Sequence, residues 1–178
     1  LAWRISQFNN AAALRPGQTA VVPLVERNPI GVHASGYQTI PILCYHRFGA
    51  RPTKLNVTPA AFDAQMEYLA KNGYTVITMK RLAHFLEGKE ALPAKSVAIT
   101  IDDGYRSTFE IAFPILRKHG FPATVFLYTD FVGASDAMTW AQMKEMTASG
   151  LVEIQPHSKS HANLTLRLPG ETDAKYRD

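Results

Sequence analysis

"VAITIDDGYRSTF", residues 97–109, is the stretch on which the reading of the fold turns. Val97 to Thr100 is a short apolar run of the kind that forms a buried strand. Asp102 and Asp103 follow side by side, and then Gly104, a residue suited to a tight turn. Two adjacent carboxylates repel each other, and neither is cheap to take out of water. A cation at the end of this strand would relieve both.

On either side the pattern repeats. "IPILCYH" (40–46) reads as a buried strand, with Cys44 as a small core residue. Thr58 is a suitable N-cap with Pro59 at the first helical position. Phe62, Met66, Leu69 and Ala70 then recur at helical spacing until Asn72-Gly73 stops the helix. "YTVIT" (74–78) is a strand, and "MKRLAHFLEG" (79–88) is a short helix burying Leu82, Phe85 and Leu86. "SVAITI" (96–101) is the third strand. "STFEIAFPILRKHG" (107–120) is a helix interrupted by Pro114 and ended by Gly120. "ATVFLY" (123–128) is the fourth strand, "TWAQMKEMTASG" (139–150) a helix capped by Thr139, and "LVEIQ" (151–155) the fifth strand. Trp140 suits a core anchor at the start of its helix better than a sugar platform.

Strand–helix alternation with short connections predicts an α/β fold with a parallel sheet covered on both faces. A doubly wound sheet and a (β/α) barrel fit this pattern equally well. In both, function gathers at the carboxyl ends of the strands. His46, Asp102, Asp103 and the segment "HSKSH" (157–161) all fall there. Asp103 with His157 and His161 makes a three-ligand set of two nitrogens and one oxygen, which suits a divalent ion and leaves a position open. Asp102 is then free to act as a base toward water. Each piece alone has a plainer reading. Asp-Asp-Gly after a strand is often a turn, His-x-x-x-His is often solvated, and His46 could simply bond to backbone. The argument rests on their falling at one end of consecutive strands.

The rest of the composition excludes more than it assigns. The chain has 178 residues, 46% of them hydrophobic, enough for a domain with a real core. Its formal charge is +4, from 19 basic and 15 acidic residues, with no basic run that would favour nucleic acid. No apolar stretch approaches the roughly 18 residues of a membrane span. The single cysteine cannot form an intrachain disulfide. Residue 1 is Leu and no signal peptide is visible. Residues 1–39 lack the regular pattern: "FNNAAALRPGQTAVVPL" (8–24) holds an Asn-Asn turn, an Arg-Pro-Gly-Gln turn and a short strand closed by Pro23, and 25–39 reads as a linker.

At this point the residues resemble a known family. "ITIDDGYRST" resembles the first signature of the polysaccharide deacetylases (the NodB-homology domain), usually Thr-Phe-Asp-Asp-Gly, and "HSKSH" matches their second, His-[Ser/Thr]-x-x-[His/Ser]. "FPATVFL" between them is also similar, so the resemblance covers about residues 40–168. "PILCYHRFG" and "GYTVITMKRL" resemble the subgroup near the poly-N-acetylglucosamine deacetylases. "FNNAAALRPGQTAVVPL" looks like the tail of a LysM module, a peptidoglycan- or chitin-binding unit. The resemblance implies a distorted (β/α) barrel and a divalent metal, usually zinc, with Asp103, His157 and His161 as ligands. Asp102 is the implied general base, and His46 is a candidate substrate-binding residue.

The implied reaction is hydrolysis of N-acetyl groups on an N-acetylglucosamine-containing polysaccharide, in an extracytoplasmic setting. The implied organisation is a LysM-like remnant at 1–24, a linker at 25–39, and the N-terminal part of a deacetylase domain at 40–178. Ile101 stands where the family has Phe, and Pro156 departs from its Ile-Gly-x-His approach. The family's later signatures, including the His segment that supplies the acid, do not occur before Asp178. The barrel is therefore expected to be incomplete in this chain, and the chain by itself inactive. A non-catalytic glycan-binding module is the alternative function. The partner expected is a polysaccharide, with no nucleic acid and no membrane span; the oligomeric state stays open.

Overall fold

The computed structural model describes residues 15–20, 31–33, 36–163, 165–166, 170 and 172. The chain divides into two compact units, residues 1–38 with 83–92, and residues 39–82 with 93–178.

In the first unit, strands β1 (Val32–His33) and β2 (Gly36–Tyr37) pair antiparallel, so part of the stretch expected as a linker carries regular structure. The Arg15–Gln18 turn is present, closed by the Gln18 amide donating to the Arg15 carbonyl at 3.1 Å, with Gly17 at φ 84°. The Asn-Asn turn and the strand ending at Pro23 lie outside the described residues.

The second unit is built on a five-stranded parallel sheet. Its strands are β3 (Ile42–Tyr45), β6 (Thr75–Ile77), β7 (Ser96–Asp103), β8 (Ala123–Leu127) and β9 (Val152–Pro156). β7 is central: it pairs with β3, β6 and β8, and β8 pairs with β9. Two short strands not foreseen from sequence, β4 (Arg47–Phe48) and β5 (Asn56–Val57), form a separate parallel pair. Each is only two residues long, too short to carry a period.

Helices join the strands where apolar spacing and caps place them. Helix α1 (Pro59–Lys71) starts at Thr58, whose hydroxyl accepts from the Ala61 amide, and it buries Phe62, Met66 and Leu69. Helix α2 (Met79–Leu86) buries Leu82 and Phe85 but leaves Leu86 exposed, against expectation. Pro114 shapes the next segment: it offers no N–H to the preceding turn. Thr108–Ala112 is wound as a π-turn, closed by the Phe113 amide bonding to Thr108, before helix α3 (Phe113–His119) resumes and ends at left-handed Gly120. Helix α4 (Trp140–Ala148) opens with a full capping box between Thr139 and Gln142.

The core collects one face of the sheet against helices α1, α3 and α4. Val97, Ile99 and Ile101 of β7, with Val125 and Leu127 of β8, pack with Phe62, Met66, Leu116 and Met146. Alternation sends the even-numbered residues of β7 to the other face, where Ser96 and Thr100 are buried polar groups and Asp102 is half-buried. Two further residues expected in the core are not there. Cys44 is exposed, because β3 buries only its Tyr45. Trp140 is 66% exposed at the start of its helix. No helix among the described residues is long and apolar enough to cross a membrane.

Candidate metal centre

Parallel pairing brings every strand's carboxyl end to one side. The register aligns Asp103 with Leu127 and Leu127 with Pro156, so Asp103 and His157 are separated by a single strand. The His157 amide continues the ladder by donating to the Leu127 carbonyl at 2.7 Å. Beyond it the chain turns as a loop: the Ser158 hydroxyl accepts from the His161 amide at 3.0 Å. The Asp130 amide donates to the Lys159 carbonyl at 2.9 Å, which ties the loop to the Thr129–Phe131 turn.

These contacts bring Asp103, His157 and His161 together. Asp103 Oδ1 lies 3.8 Å from His157 Nε2 and 3.3 Å from His161 Nε2. The imidazole rings are 5.0 Å apart, and a ligand atom from each of the three residues lies within 4.8 Å of the others. Asp103 is buried, and its Oδ1 has no hydrogen-bond partner. A buried carboxylate oxygen without a donor is costly, and a cation bound by it and by two imidazoles would remove that cost. The donor set suits zinc-like ions. Ligands at about 2.0–2.1 Å around a tetrahedral ion stand roughly 3.3–3.5 Å apart, close to the spacing seen here.

Asp102 faces a different set of neighbours. Its Oδ2 accepts from Cys44 Sγ at 3.3 Å and lies 3.8 Å from His46 Nε2. Burial raises the Cys44 pKa most, and the hydrogen bond to Asp102 raises it further. Cys44 was not recognised from sequence as part of this end of the sheet. The available signal was its spacing of two from His46, which puts both on one face of a strand.

An aromatic run borders the centre. Tyr128 stands 5.2 Å from the His161 ring and stacks on Phe131 at 5.1 Å, and Phe131 meets Tyr105 edge-on at 5.2 Å. The Arg47 guanidinium lies 3.9 Å over Tyr105 and pairs with Asp136 at 2.8 Å. Burial, with the charge of Asp103 contributing, raises the Tyr128 pKa.

Residues 89–177, half of the chain, match the family described as polysaccharide deacetylase. The chain is 34% identical over 139 residues to the Bacillus subtilis protein YxkH, covering 78% of this chain and 49% of that one. It is 31% identical over 115 residues to the poly-β-1,6-N-acetyl-D-glucosamine N-deacetylase of Staphylococcus aureus, covering 62% of this chain and 39% of that enzyme. The chain thus spans about half or less of the length of these curated relatives. Among solved structures, IcaB from Ammonifex degensii matches with a TM-score of 0.63 and 34% identity, over 66% of this chain and 52% of that one. The Streptococcus pyogenes deacetylase PplD, solved with acetate, matches with a TM-score of 0.67 and 30% identity, over 73% and 61%. The fold shared with these neighbours is the (β/α) barrel of the NodB type, which decides between the two architectures left open by the alternation of elements.

Proposed function

Because the chain belongs to the polysaccharide deacetylase family, we propose that it carries the metal-holding part of a site that hydrolyses N-acetyl groups on an N-acetylglucosamine polymer. The observation that supports this most is the buried, unpartnered Asp103 Oδ1 facing His157 and His161. On this reading those three residues hold one divalent ion, with zinc the best match to their donor set. When bound, the ion supplies a Lewis acid beside the scissile amide carbonyl.

Asp102, half-buried beside the triad, takes a proton from the attacking water. Water adds to the acetyl carbon, the leaving nitrogen takes up a proton from solvent as the C–N bond breaks, Asp102 returns its proton to solvent, and acetate and the free amine separate. Asp102 is an unsuitable fourth ligand in this reading, since its carboxylate is engaged by Cys44 and lies beside His46. His46 lines the substrate side of Asp102. The similarity to a poly-β-1,6-N-acetyl-D-glucosamine N-deacetylase supports a glucosamine polymer as substrate, and an extracytoplasmic location follows from such a substrate. Residues 40–178 belong to the deacetylase domain on this reading, and residues 1–24 to a LysM-like unit.

The test separates the two acids. In the full-length protein, Asp102→Asn is expected to lower acetate release from N-acetylglucosamine oligomers by about 10²–10⁴-fold while retaining one metal ion, because a base is lost and no ligand is. Asp103→Asn is expected to lose the metal itself. Equal metal loss in both variants, or full activity of Asp102→Asn, would overturn the assignment.

A further inference from the structure

A second cluster of metal-ligating side chains lies on the polar face of the sheet, outside the triad. Cys44 and His46 are two residues apart at the end of β3, so alternation puts both on one face. The β3–β7 register pairs Cys44 with Thr100 and Tyr45 with Ile101. Continued by one residue, it sets His46 opposite Asp102. The side chains follow: Asp102 Oδ2 is 3.3 Å from Cys44 Sγ and 3.8 Å from His46 Nε2. One ligand atom from each of the three residues lies within 4.8 Å of the others.

We propose that Cys44, His46 and Asp102 form a second metal site, which takes a thiophilic divalent cation such as Zn²⁺ or Cd²⁺ and withdraws Asp102 from its role as base. The donor set is one sulfur, one nitrogen and one oxygen. A thiolate with an imidazole selects zinc-like ions over magnesium or calcium, which want oxygen ligands. A tetrahedral ion with sulfur at about 2.3 Å and oxygen at about 2.1 Å holds those two atoms roughly 3.6 Å apart. The existing Sγ–Oδ2 separation of 3.3 Å needs only a small adjustment to match it. Cys44 is exposed, so an ion can reach the site from solvent.

Binding is a ligand exchange without redox change. The S–H bond breaks, its proton goes to solvent, and a metal–sulfur bond replaces the hydrogen bond from Cys44 to Asp102. The carboxylate then bonds the ion and no longer accepts a proton from water. Asp102 and Asp103 are adjacent, so the two ions would repel, and the second site fills only when metal is in excess over the triad. The binding rests on the three donor atoms alone. Its inhibitory consequence rests on the reading of Asp102 as the base.

Cys44 is the single cysteine of the sequence, which gives the site its own spectroscopic mark. The full chain, loaded with one equivalent of Zn²⁺, is titrated with Cd²⁺ while ultraviolet absorption from thiolate-to-cadmium charge transfer is followed. Bound metal is then counted after desalting. The wild type is expected to develop the band to saturation at one Cd²⁺ per chain and to hold two ions in all. Cys44→Ala and Cys44→Ser are expected to lose the band, and Cys44→Ala to hold one ion. Absence of the band in folded wild type at saturating Cd²⁺, or uptake of two ions by Cys44→Ala, would overturn the proposal. Acetate release by the full-length protein is measured in parallel. Excess Cd²⁺ is expected to suppress it at least tenfold in the wild type and not in Cys44→Ala. A saturated band with undiminished turnover would support the site and overturn the role given to Asp102.

Discussion

Asp103, Ser158 and His161 are the non-glycine residues with positive φ among those described, at 73°, 71° and 52°. All three belong to the candidate centre or its loop. Such conformations cost on the order of 1–3 kcal/mol each and persist where surrounding structure over-determines them. Asp tolerates the left-handed region better than most residues, and here the conformation takes Asp103 out of the strand path at the end of β7. Gly104 then allows the turn: at φ 85°, an added Cβ would stand 3.0 Å from Leu127 Cβ. Gly104→Ala is therefore expected to destabilise the protein by more than about 1 kcal/mol and to weaken metal uptake through Asp103. A urea midpoint and a metal count check this, and an unchanged midpoint would show that the turn has room the backbone does not suggest.

The helices are held by local chemistry that can be tested one end at a time. Thr139 caps the Trp140–Ala148 helix by accepting from the Gln142 amide, while the Gln142 side chain accepts from the Thr139 amide at 2.8 Å. Thr139→Ala should cost about 1 kcal/mol and Thr139→Ser should recover most of it; thermal unfolding of the pair of variants reads the difference. Asp63 on α1 bonds Lys118 at 2.7 Å and His119 at 2.9 Å at the end of α3. The Lys118 bond first, and the His119 bond second, hold its carboxyl below its ordinary value. A carboxyl depressed on folding adds stability at neutral pH that is lost as pH falls through its native pKa. Asp63→Asn should therefore make the acid limb of the stability–pH curve shallower below about pH 4, with little change in that slope at pH 7. An acid limb identical to wild type would show the contact has no weight in solution.

At the scale of the whole sheet, parallel pairing is what turns separate strand ends into one site. Asp103 of β7 and His157 and His161 of the segment after β9 meet only when β8 is between them in register. An ion bound by all three therefore binds the folded protein and not the unfolded chain. At a free zinc concentration of 100 times its Kd, such an ion adds about 2.7 kcal/mol, or roughly 5–10 °C in Tm for a chain of this size. Measured in a Cys44→Ala background, so that the triad alone is read, the shift should be reversed by chelator and absent in Asp103→Asn. A zinc-induced shift that survives Asp103→Asn would place the ion elsewhere.

What the sequence determined by itself was whatever depends on neighbours along the chain. The apolar run before Asp102, the helix starts at Thr58 and Thr139, the stops at Asn72-Gly73 and Gly120, and the break at Pro114 are short-range preferences, and the structure has an element boundary within two residues of each. Parallel α/β architecture followed from the order of those elements. Tertiary structure decided what depends on partners far away in sequence. Ile42–Tyr45 is as apolar as a central strand, yet only Tyr45 is buried, because coverage is set by what packs against a strand and not by its composition. Cys44, on the same strand, is exposed as well, and Trp140 is exposed at the start of its own helix. Asp102 and Asp103 are neighbours in sequence, but their surroundings differ: one meets Cys44 and His46 across the β3–β7 register, the other meets His157 and His161 past β8. Register is a property of strand pairing, and a one-residue slip would turn every side chain to the opposite face. The grouping of Asp103 with His157 and His161 was therefore legible from their places at the strand ends, whereas the approach of Cys44 and His46 to Asp102 was decided by the β3–β7 register.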